Sequence, residues 1–137
     1  MMNEELILQI DVTCTGAEAV DGHNKKVVMV DFNGTTDGKY FTGKVIGTGV
    51  DTQKYPKNAD GTFIENAGTL SARYILEGKD YTGKDCRIFI ENNAGPDGWI
   101  PTITTDSDAL ADWENYKLRS QVEPTDKGVL VSIFKIS

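Results

Sequence analysis

Three side chains raise the first chemical question. Asp51 and Gln53 stand two residues apart in "GTGVDTQK", so on an extended strand they share one face. Arg73 stands in the middle of "GTLSARYILEG", where Leu70, Ala72, Tyr74 and Leu76 alternate with Ser71, Arg73 and Glu77. A carboxylate taken out of water must be paired or protonated, and Arg73 is the obvious partner for Asp51. In a sheltered hollow, that guanidinium would hold a carboxylate, enolate or carbonyl by charge-assisted hydrogen bonds. A desolvated Asp51 would orient the guanidinium, accept a ligand hydroxyl, or serve as a general acid/base. On a wet face the same residues would form an ion pair that only locks strand register. Strand alternation also puts Tyr74 on the face opposite Arg73.

Other chemistries find little support. The one histidine, His23, sits in the turn-like "DGHNKK", and no set of His or Cys residues clusters around it for zinc. "DTQKYPKNADGTFIE" is rich in oxygen donors, but with Gly61 as the turn glycine a calcium loop would begin at Pro56 and end at Ala67. There is no G-x-S-x-G elbow. "GTGVDTQ" has neither the lysine nor the following helix of a phosphate loop. No metal or organic cofactor is implied.

The elements that must position these residues are strands. "ELILQIDVTC", "KKVVMVDFNG", "KYFTGKVIGTGV", "GTLSARYILEG", "DCRIFIENN", "GWIPTITT", "YKLRSQVEP" and "GVLVSIFKIS" are β-rich runs. Asp21-Gly22, Asn33-Gly34, Asp37-Gly38, Asp60-Gly61 and Asp97-Gly98 punctuate them, pairs that tolerate the positive φ of tight turns. Short strands with turns between them predict an antiparallel sandwich or barrel. One segment, "SDALADWEN", reads as a helix of about two turns capped by Asp106 or Ser107, with Leu110 and Trp113 on its apolar side. "VVMVDF" and "GVLVSIFKIS" are apolar on both faces, so either a second chain partly covers the outer surface or two layers pack, and both favour a barrel or sandwich able to oligomerise.

Composition narrows the partners. The chain of 137 residues fits a single domain spanning 1–137, and 39% hydrophobic residues suffice for a core. A net charge of -7 disfavours nucleic acid and anionic membrane surfaces. Cys14 and Cys86 show no framework spacing and read as two buried thiols of a reduced compartment rather than a disulfide. No run approaches the ~20 apolar residues that span a bilayer. The expectation is a soluble cytoplasmic protein.

The order "NGTTDGKYFTGKVIGTGVDTQ", "DG", "LSARYIL" and "RIFIENNAG" resembles the domain-of-unknown-function family 3237, small proteins of calycin-like β-barrel fold. The family's pattern falls on Gly34, Gly43, Gly49, Asp51, Gln53, Asp60-Gly61, Leu70, Ala72-Arg73-Tyr74, Ile88, Asn92 and Gly95, with "ADWEN" near its W-L-N segment. Three positions depart from it: Thr52 replaces a tryptophan, Ser71 an aspartate, and Pro96-Asp97 follow where an arginine is common. The resemblance implies an all-β, calycin/lipocalin-like barrel with one short helix in the C-terminal third. It also implies that a polar set drawn from Asp51, Gln53, Arg73, Tyr74 and Asn92 converges from three strands, Arg73 and Tyr74 together only where a bulge intervenes, and it transfers no activity.

Together these readings predict a barrel that binds a small organic ligand, an acid or a carbonyl compound. Arg73 would be its anchor, with Asp51, Gln53 and Asn92 as polar contacts and Tyr74 and Trp113 as apolar wall. An isomerase- or lyase-type enzyme using Asp51, or a non-catalytic homo-oligomeric scaffold, are the alternatives.

Overall fold

The computed structural model describes residues 3–96 and 98–137. The chain forms eight strands: β1 (Glu4–Asp21), β2 (Lys25–Asp37), β3 (Phe41–Pro56), β4 (Thr69–Asp80), β5 (Asp85–Gly95), β6 (Gly98–Thr105), β7 (Leu118–Pro124) and β8 (Gly128–Ile136). They make one antiparallel sheet in the order β6-β5-β4-β3-β2-β1-β8-β7. Because β1 pairs with both β2 and β8, the meander curls into an up-and-down barrel. Among the described residues, only the β6–β7 seam lacks a ladder, since residues 106–117 cross the barrel end there instead of making a tight turn. Pro101 and Pro124 sit on these two edge strands, where a missing N–H interrupts the fewest ladder bonds.

All eight sequence runs are strands, but some ends differ. Asn33-Gly34 does not terminate β2, which continues to Asp37. Gly34 allows this by close packing, for a Cβ there would lie 3.1 Å from the Asp11 carbonyl oxygen and the Ile10 side chain. The turns form instead at Asp21–Lys25 and Asp37–Phe41, closed by Gly22 N–H to Lys25 O (2.9 Å) and Gly38 N–H to Phe41 O (3.0 Å). Of the Asp97-Gly98 pair, Asp97 lies outside the described residues.

The predicted α-helix is narrower than expected. It is a 3₁₀ helix, Ala111–Asn115. Ser107 Oγ accepts the Leu110 N–H at 3.1 Å, so Ser107 rather than Asp106 starts the turn. Leu110 and Trp113 are three residues apart, the spacing that a 3₁₀ repeat places on one side. Both are buried against the barrel end, where Trp113 meets Tyr40 edge to face at 5.9 Å between ring centroids.

That end is plugged. Ile10, Phe41, Leu76, Ile88, Ile90, Ile133 and Leu110 are all but fully enclosed. Asp80, also buried, ties the plug to the β4–β5 turn by accepting the Ser107 hydroxyl (2.7 Å) and the Thr82 N–H (2.9 Å). The Thr82 hydroxyl donates to the same carboxylate and lowers its pKa most; with the Ser107 hydroxyl and the Thr82 N–H it favours the carboxylate form and holds the pKa at about 2. Among the described residues, no helix is long and apolar enough to cross a membrane.

Candidate functional site

The opposite end of the barrel is hollow. A cavity of about 260 Å³ opens there, walled by Val12, Val30, Phe32, Leu70, Val122, Val129 and Val131. Four polar or amphipathic side chains named from the sequence reach it: Asp51, Gln53, Tyr74 and Asn92. Ladder register explains the convergence. Asp51 pairs with Ala72 on β4, and Ala72 with Asn92 on β5, so the three lie in one row across the sheet and face the same way. Gln53 is one pleat nearer the mouth, opposite Leu70.

Arg73 does not join them. Its side chain is 64% exposed and pairs with Glu91 at 3.0 Å on the outer wall. Pairing of β4 with β5 runs unbroken from Leu70–Ala94 to Lys79–Asp85, so no bulge reverses the alternation. Tyr74, only 4% exposed, points inward, and Arg73 must therefore point out. The expected Arg73–Asp51 pair and the arginine anchor are both absent. Trp113 is likewise misplaced as cavity wall, because it belongs to the plug at the closed end. The indole at the cavity is Trp99. Its signal was present in "GWIPTITT", where Trp99, Pro101 and Ile103 alternate with Ile100, Thr102 and Thr104.

Without Arg73, Asp51 is held by neutral groups. Gln53 Nε2 donates to Asp51 Oδ2 at 2.9 Å, and Tyr55 Oη donates to Gln53 Oε1 at 2.8 Å. This relay orients the Gln53 amide with its N–H toward the acid. Burial pushes the Asp51 pKa above the ordinary carboxylate range, opposed more weakly by the Gln53 hydrogen bond and one from the Ser71 backbone. Asp51 Oδ1 is buried and has no hydrogen-bond partner. The Tyr74 hydroxyl is in the same condition, and burial raises its pKa as well. The Tyr74 ring is fixed by an edge contact with Phe32 at 5.4 Å between centroids. Gly49 makes room for that arrangement, since a Cβ there would fall 2.3 Å from the Phe32 ring. Asn92 Oδ1 accepts the Ser120 hydroxyl at 3.0 Å, a bond that joins β5 to β7 inside the barrel, behind the unladdered seam. Ser120 and Tyr55 were not singled out in the sequence.

Against the expectation of two buried thiols, Cys14 is exposed and lies at the cavity rim; Cys86 is buried on β5 near the closed end, and both are free thiols. Among the described residues, no three His, Cys, Asp or Glu side chains come together as a metal-binding group.

The barrel is similar to several solved structures. A protein with unknown function from Clostridium acetobutylicum shares 25% identity at a TM-score of 0.75, over 100% of this chain and 98% of that one. An enzyme from Penicillium herquei shares 18% identity at a TM-score of 0.70, over 99% and 95% of the two chains. A beta-barrel like protein from Acinetobacter baumannii shares 13% identity at a TM-score of 0.73, over 100% and 97%. No family model matches the chain, and no curated protein does either.

Proposed function

We propose that the open end of the barrel binds a small, largely apolar, uncharged molecule carrying a carbonyl or hydroxyl group. One observation carries this reading: Asp51 Oδ1 and the Tyr74 hydroxyl are both buried, both without partners, and both at a cavity whose walls are mostly aliphatic and aromatic. Polar groups left unpaired in an interior cost free energy, on the order of 1–3 kcal/mol each, which a ligand with matching atoms recovers. Tyr74 has a proton to donate to a carbonyl or hydroxyl oxygen. Asp51 accepts from a hydroxyl when ionised and donates when protonated. An acid ligand fits less well, because its anion would meet an uncompensated carboxylate while Arg73 stands outside.

The test is native mass spectrometry of protein purified from its own host, followed by calorimetry with the molecule recovered. Tyr74→Phe and Asp51→Ala should each weaken binding about tenfold or more, the loss of one buried hydrogen bond. Undiminished binding by both variants would overturn the assignment of the cavity.

A catalytic reading of the same site rests on the raised pKa of Asp51. Such a carboxylate is suited to take a proton from the carbon beside a ligand carbonyl and return it elsewhere on the same molecule, an isomerisation with no net loss of atoms. The Penicillium herquei structure is described as that of an enzyme, a second motive for this reading. Asp51→Asn should then abolish turnover while leaving ligand affinity within about threefold, because the amide keeps the shape and loses the proton transfer.

A further inference from the structure

We propose that the outer face of β4 and β5 is a homodimer interface, and that its occupant is a second copy of this chain. The argument concerns the outer wall only and is independent of what the lumen binds. On that wall Ile46, Ile75 and Phe89 form one row across β3, β4 and β5. Ile75 and Phe89 are left 39% and 36% exposed, although an outer barrel face ordinarily carries polar side chains.

Charged pairs bracket the row on both sides. Arg73 pairs with Glu91 at 3.0 Å one pleat toward the open end, and Arg87 with Glu77 at 2.8 Å one pleat toward the closed end. Along β4 the outward residues read positive, apolar, negative; along β5 the facing residues read negative, apolar, positive. This pattern is its own complement. A two-fold axis parallel to the strands, between β4 and β5, sets β4 of one copy over β5 of the other at each level. Arg73 then faces the partner's Glu91, Ile75 faces the partner's Phe89, and Glu77 faces the partner's Arg87. No like charges meet, and each intrachain pair becomes half of a four-charge cluster around an apolar centre. An isologous contact of this kind is what a two-fold dimer requires. Such an axis keeps the strand directions of the two sheets aligned, the common geometry of face-to-face sheet packing. An unrelated partner would have to carry this sign pattern by coincidence, whereas a second copy carries it by symmetry.

Light scattering and sedimentation of the full chain test the proposal. At concentrations up to about 100 μM the wild type should show twice the 15.0 kDa chain mass. Ile75→Lys with Phe89→Lys should give a monomer of unchanged circular dichroism. A four-fold charge swap, Arg73→Glu, Glu91→Arg, Glu77→Arg and Arg87→Glu, preserves every complementary contact within its own dimer. It should self-associate within about threefold of wild type, yet mix with wild type at least about a hundredfold less readily, because like charges then face each other across the axis. A monomeric wild type, a dimer that survives the two lysine substitutions, or free exchange between swapped and wild-type chains would each overturn it.

Discussion

The two ends of this barrel are built from the same strands and behave as opposites. At the closed end, inward positions of β4, β5 and β8 are Leu76, Ile88 and Ile133, and a crossing segment drives Leu110 and Trp113 into the opening. At the open end, the same three strands supply Tyr74 and Ala72, Asn92, and Val129 and Val131 around the cavity. One end ties its buried acid into hydrogen bonds, Asp80 accepting from Ser107 and the Thr82 backbone, and leaves the Thr36 hydroxyl unpaired. The other leaves Asp51 Oδ1 and the Tyr74 hydroxyl without partners. An eight-stranded barrel is just wide enough to be filled by its own side chains or to hold one small ligand; this chain fills one end and leaves a cavity at the other. Close packing and open space are thus separated along the barrel axis.

Substitutions at the two ends should therefore differ in size and sign. The largest effect is expected at the plug. Trp113→Ala should destabilise the fold by about 3–5 kcal/mol, measured by urea unfolding, against about 1 kcal/mol or less for Val122→Ala at the mouth. Equal losses would erase the distinction.

Ser107→Ala should cost about 1–2 kcal/mol, because it removes both the cap of Leu110 and a partner of Asp80. Asp80 adds a pH signature. Its folded pKa of about 2 lies below the ordinary value of 3.8, so its contribution is present above about pH 4 and is lost as pH falls toward 2. Asp80→Asn should flatten that part of the stability–pH profile.

Asp51 should show the reverse sign. Its folded pKa is raised, so the protonated form favours the fold at low pH, and that contribution disappears as pH rises through the raised value. Asp51→Asn keeps a neutral group at every pH. The variant should be more stable than wild type at pH 7 and indistinguishable from it at pH 3, by thermal melts. A lower melting temperature at pH 7 would mean that Asp51 is not strained by burial.

The smallest effect is on labelling without loss of stability. Cys14 at the rim should react with a thiol reagent at least about a hundredfold faster than buried Cys86, whose thiol pKa burial raises further. A bound ligand should slow Cys14 alone.

The sequence by itself determined the strands and their alternation, because side-chain direction along a strand has a period of two and needs no partner to be read. It therefore placed Asp51 and Gln53 on one face and put Tyr74 opposite Arg73. Which face is the inside was decided by the tertiary structure, since that depends on how eight ladders close and not on any one strand. Closure turned Tyr74 inward and left Arg73 to Glu91. It set Asp51 beside Gln53 and Tyr55 instead of a cation, and it took Trp113 to the plug while bringing Trp99 to the cavity. An alternating pattern states only that two faces differ; burying one of them is a collective outcome of all eight strands.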